Sequence, residues 1–138
     1  MRAFGRCCLP SVAIAFPPLV IIRLSVAAVW LYEGLWCKIL GRVKSQVAVV
    51  TAVPRLGQRF GLRFLKTLGV VEVALAVWVI TGTAPGMCAV AQTGLLVLLN
   101  ANGVLWARTI IPEPAGMVVK NMAFLVLVWV CGAIPGGQ

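Results

Sequence analysis

The chain has 138 residues, 62% of them hydrophobic and 11% charged, with a mean hydropathy of +1.04. A chain this short cannot hide so much apolar surface in one water-soluble core, so the solvent for its fold is lipid. The 12 Lys and Arg against 3 acids, with no His, give a net charge of +9. Because the basic residues lie mainly between apolar runs, they suit anionic lipid head groups and argue against a nucleic-acid partner.

A helix needs about 20 mostly apolar residues to cross the hydrocarbon. The first run of that length covers about 17–40 and contains Arg23 and Glu33; a basic stretch, 41–60, follows. Within that stretch Val43, Val47, Val50 and Val53 recur at near-helical spacing between basic residues, which predicts an amphipathic helix lying on anionic lipid. The second run, about 61–81, carries Lys66 and Glu72, and the third, about 84–107, carries Gln92, Asn100 and Asn102. The fourth, about 117–133, starts with Lys120 and Asn121. Short second and third connections make neighbours antiparallel, so the expected fold is all-α: a single domain over 1–138 forming a four-helix membrane bundle with an interfacial segment in the first loop.

A cleavable secretory leader is the competing reading of the N-terminus, with Arg2 and Arg6 before an apolar run and Ser25-Val26-Ala27 as the cleavage site. Pro17, Pro18 and Arg23 interrupt that run and speak against it. Lys and Arg concentrate in the first and third loops and their flanks, which places those loops in the cytoplasm and both termini outside.

Two of the three acids, Glu33 and Glu72, fall inside spans, where a charge is costly and needs a partner, water or a proton. Compared by depth, Glu33, Lys66, Asn100, Asn102, Lys120 and Asn121 gather in the half of the bundle near the first and third loops. Glu72 falls close to the midplane, and Gln92 and Arg23 fall in the other half. Two readings stand side by side: interhelical hydrogen bonding that holds the spans together, and a polar pocket for a head group, a quinone ring or a proton. By depth Lys120 is the best-placed cation for an ionised Glu33, while a protonated Glu33 fits either reading. Trp36 and Trp106 fall near span ends, where aromatic side chains anchor at the interface. Trp30 and Trp78 lie deeper and serve as pocket wall or packing. The five cysteines include no C-x-x-C, so neither a disulfide framework nor a zinc site is indicated, and they read as small apolar filler.

Three segments carry a resemblance: WLYEGLWCKIL (30–40), LGVVEVALAVWVITG (68–82) and IIPEPAGMVVKNMAFL (110–125). Their W-x-x-x-G with a following Lys, L-G-x-x-E and P-x-x-x-x-x-K-N patterns resemble the DoxX-like family of small four-span bacterial membrane proteins over about 20–132. The resemblance puts weight on Trp30, Glu33, Gly34, Gly69, Glu72, Pro114, Lys120 and Asn121. The name-giving member of that family is similar to a small subunit of a thiosulfate:quinone oxidoreductase, and some members are fused to epimerase domains of short-chain-dehydrogenase type, with no such domain in these 138 residues.

The absence of His and Asp removes the usual general bases and metal ligands apart from Glu, so no catalytic constellation and no metal site are predicted. The first expectation is therefore a non-catalytic accessory subunit that binds quinone or lipid, holds no covalent cofactor and docks a redox partner that carries the electrons. A small transporter or proton path using Glu33 and Glu72 is the second, and an assembly factor for other membrane proteins is the third.

Overall fold

The computed structural model describes residues 18–51 and 57–133, which are all-α. Expectations attached to Arg2, Arg6, Pro17 and Val53, and to two of the five cysteines, Cys7 and Cys8, lie outside the described residues.

The first span begins where Pro18, lacking an N–H, offers only its carbonyl, which the Ile21 N–H reaches at 2.8 Å. Helix α1, Leu19–Leu31, then widens into a π-helical stretch, Tyr32–Ile39, and the two form one apolar rod of 21 residues. The rod stops at Gly41, whose φ of 61° is left-handed and open to glycine at little cost. Helix α2, Lys44–Thr51, follows in the first loop, and α3, Gly57–Thr81, contributes the second span. Gly82 (φ 66°) turns the chain into α4, Pro85–Trp106, and α5, Pro114–Ala133, completes the set. Four of these helices are long and apolar enough to cross a membrane.

The spans close into a ring in which α1 packs on α3, α3 on α4, α4 on α5 and α5 back on α1. Ile22, Val26, Ala27, Leu75, Ala76, Val79, Cys88, Ala89, Val128 and Cys131 fill the half of the bundle nearest the α3–α4 turn. Val20, Leu24, Val70, Val77, Val90, Val97 and Val126 point outward and are exposed. In water that apolar skin would drive association, whereas hydrocarbon is its natural solvent.

A close backbone approach joins the first span to α3. A methyl group added at Gly34 would lie 2.6 Å from the Gly69 carbonyl oxygen, so only glycine allows the two backbones to meet there. Some other small residues of the spans do not bring two backbones together in this way. Gly41 and Gly94 face open space, Ala101 is exposed, and Gly103 is packed by the Met117 and Ile111 side chains.

Candidate functional site

The half of the bundle opposite the packed core is hollow. A cavity of about 600 Å³ lies between the first span, α3, α4 and α5, with α2 folded across it. Ser45, Gln46, Val49 and Val50 line it from one face of α2, the i, i+1, i+4, i+5 pattern of a helix laid on a bundle. Most of the wall is apolar, with Leu65, Leu68, Leu96, Leu99 and Phe124 among its residues. This combination of size and lining is that of small-molecule sites, where a few polar groups orient a mostly apolar ligand.

The polar groups are organised around Lys38, which is 5% exposed. Its Nζ lies 2.8 Å from Glu72 Oε2 and 3.3 Å from Glu33 Oε2, so one ammonium serves two carboxylates. The backbone explains how Glu33 and Lys38 meet. Residues five apart on an α-helix are separated by about 140° around the axis, whereas the i→i+5 ladder of a π-helix widens the turn and brings them together. The Leu40 N–H to Leu35 carbonyl bond, 2.9 Å, is one rung of that ladder. Across the Gly34–Gly69 contact the same face meets Glu72, one α-helical turn beyond Gly69. Glu33 is finished from above by α2, whose Gln46 donates its amide to Oε2 at 3.1 Å.

Lys38 therefore takes the place the sequence reading gave to Lys120. Lys120 is exposed, lines the cavity and makes no ion pair with Glu33. The reason is distance along the bundle wall: Lys38 shares a helix face with Glu33, while Lys120 reaches the cavity from α5. The E-x-x-x-x-K spacing was visible in the sequence, but α-helical geometry does not pair residues five apart, so Lys38 read as a flanking charge.

The remaining sequence-selected residues divide clearly. Asn121 donates to Asn100 Oδ1 at 2.7 Å, joining α5 to α4, and both line the cavity. Asn102 also lines it, with its amide returned to the Leu98 carbonyl of its own helix at 2.8 Å. Trp30 is a buried wall residue, edge-on to Phe124 with ring centroids 5.7 Å apart, and its indole N–H donates to Gln92 Oε1 at 2.6 Å. Trp78 is not a wall of this cavity. Its indole N–H donates 2.7 Å to the Thr83 carbonyl, which fixes it against the α3–α4 turn at the opposite end. Gln92 and Gln46 are partners that depth alone did not select. Exposed Trp36 and Trp106 lie near span ends, with the Arg42 guanidinium 5.5 Å from the Trp36 ring centroid. Among the described residues no cluster of His, Cys, Asp and Glu is suited to a metal ion.

Taken together, four lipid-compatible spans around a polar-floored cavity define a multi-pass membrane protein of the small helical-bundle class. Residues 27–129 match the model of the DoxX-like family, and the chain belongs to that family. The match includes Trp30, Gly34, Lys38, Gly69 and Glu72. No curated protein and no solved structure matches the chain.

Proposed function

We propose that the protein is a membrane-embedded binding subunit whose cavity takes up an amphipathic molecule of quinone or lipid type, with its polar head at the Lys38–Glu72 floor and its tail along the apolar wall. One observation carries this reading: a cavity of about 600 Å³, mostly apolar, lined at one end by an ion triad whose Lys38–Glu72 pair is buried. That volume is within the range of roughly 300–1,000 Å³ typical of small-molecule sites. Exposed Arg42, Lys44, Arg63 and Lys66 surround the same end and favour an anionic leaflet, with α2 lying at its surface. The polar side chains here hold and orient a head group, and in this reading a docked redox partner carries the electrons.

The triad also supports a second reading. Ionisable groups buried in a span commonly mark proton or ion paths, and Glu33, at a side-chain exposure of 39%, links the buried Lys38–Glu72 pair to the α2 side.

The test is extraction of the protein from native membrane in mild detergent, followed by mass spectrometry of what it retains. The binding reading expects a stoichiometric quinone or lipid that is lost when Leu99→Trp fills the cavity. A bare protein, or retention unchanged by Leu99→Trp, contradicts it.

A further inference from the structure

Two charged side chains of the cavity keep an open face. Glu33 is half-buried on the first span, and both side-chain hydrogen bonds to its carboxylate, from Lys38 at 3.3 Å and Gln46 at 3.1 Å, fall on Oε2. Its Oε1 is thus without a donor among the described residues. Lys120 is exposed on α5 and has no ion pair among the described residues. Both residues line the cavity. Glu33 precedes the end of the first span at Ile39, and Lys120 follows the start of α5 at Pro114, which puts them just inside the same end of the bundle on different walls. The remaining charges of the cavity, Lys38 and Glu72, are buried and closed on each other at 2.8 Å. An occupant therefore meets one accessible anion and one accessible cation, held apart at one depth beside an apolar wall. Charges placed inside spans call for partners, and these two do not pair with each other.

We propose that the cavity binds a zwitterionic phospholipid with a primary ammonium head, of the phosphatidylethanolamine kind. Its ammonium meets Glu33 beside the Lys38–Glu72 floor, its phosphate meets Lys120, and its acyl chains follow the apolar wall. The inference rests on the reading of the cavity as a site for an amphipathic molecule and names the head group that it takes. A primary ammonium donates charge-assisted N–H bonds to a carboxylate, whereas a trimethylated one has no N–H to give. A glycerol head brings no positive charge at all and leaves Glu33 facing the ligand without a cation. Lysine binds phosphate as a point charge, which suits the single phosphate of a mobile head group. Arg42, Lys44, Arg63 and Lys66, exposed outside the cavity, favour anionic lipid at the surface; the balanced pair inside favours a neutral zwitterion.

The experiment uses the full chain, delipidated in mild detergent and titrated by native mass spectrometry. The probes are phosphatidylethanolamine, phosphatidylcholine and phosphatidylglycerol with the same acyl chains, and soluble phosphoethanolamine. Phosphatidylethanolamine should bind at least about tenfold more tightly than either other lipid, the worth of one charge-assisted hydrogen bond. Soluble phosphoethanolamine, which buries no acyl chain, should bind at least about tenfold more weakly than the lipid. Glu33→Gln leaves Lys38 its Glu72 partner and should bring phosphatidylethanolamine and phosphatidylglycerol within about twofold of each other. Lys120→Met should weaken both about tenfold. If Glu33→Gln does not insert, the wild-type ranking and Lys120→Met decide. Equal binding of the three lipids, abolished by Leu99→Trp, overturns the inference and leaves the cavity reading in place. A ranking unchanged by Glu33→Gln, or affinities unchanged by Lys120→Met, does the same. Phosphoethanolamine binding as tightly as the lipid overturns the lipid assignment in favour of a free head group. Binding of none of the lipids overturns the inference, and the cavity reading then stands or falls on the extraction from native membrane. Lipid binding that Leu99→Trp leaves unchanged lies outside the cavity and overturns both.

Discussion

Gly34 and Gly69 form a reciprocal contact: a methyl group on either would stand within 2.7 Å of the other's carbonyl oxygen. This contact sets the depth at which the first span meets α3, and therefore the position of Lys38 against Glu72. Gly34→Ala or Gly69→Ala forces the helices apart and should cost about 1–3 kcal/mol, the usual range for overpacking. Thermal unfolding in detergent measures it. Gly94→Ala, where the added methyl meets open space, should leave the melting temperature unchanged.

Lys38 is the cation on which the triad depends. Lys38→Met leaves two carboxylates facing each other without an ammonium and should cost roughly 3–5 kcal/mol, the penalty for stranding one side of a buried pair. Lys38→Met combined with Glu72→Gln should recover much of that loss, and Lys120→Met should have little effect on stability. Unfolding of the three variants checks the order. Additive losses in the double variant would show that Lys38 and Glu72 do not act as a pair.

Orientation follows from charge. The first and third loops together with their flanks carry most of the Lys and Arg and are expected in the cytoplasm. In a Cys-free background, Ser45→Cys on α2 should react with a membrane-impermeant thiol reagent only after the cytoplasmic side is opened. Labelling in intact cells would invert the topology without changing the number of spans.

The three described cysteines, Cys37, Cys88 and Cys131, are buried and free, packed as small apolar groups. Replacing all five cysteines with Ala should therefore preserve insertion and ligand retention, read by the same extraction and mass spectrometry. Loss of retention on changing Cys88 or Cys131 alone would assign them chemistry beyond packing.

The spans were legible in the sequence because the hydrocarbon imposes one requirement, length and apolarity, that no other feature of the chain satisfies by chance. Asn100 and Asn121 could be placed at one level by the same reasoning, since depth along antiparallel helices is nearly a matter of counting. What counting could not supply was azimuth. Lys38 sits at the end of a span, where a basic residue ordinarily marks the membrane surface, and only the local π-helix rotates it inward beside Glu33. Trp78, read as wall or packing, packs against the core, and what depth could not supply was its polar partner: the carbonyl that captures its N–H belongs to a turn whose shape depends on Gly82 and Pro85. The valine spacing marked a helix near α2, yet the face turned to the cavity is that of Ser45, Gln46, Val49 and Val50, chosen by packing on the bundle.

The central claim is that the hollow half of the bundle is occupied by an amphipathic ligand. The most direct measurement is photolabelling in native membrane with a quinone bearing a photoreactive group on its ring, followed by peptide mapping. The account predicts adducts on cavity residues such as Trp30, Leu99 and Phe124, suppressed by excess unlabelled quinone and by Leu99→Trp. Adducts confined to outward-facing residues such as Val90, Val97 and Val126, insensitive to competitor, would show that the probe merely dissolves in the surrounding lipid and would contradict the account.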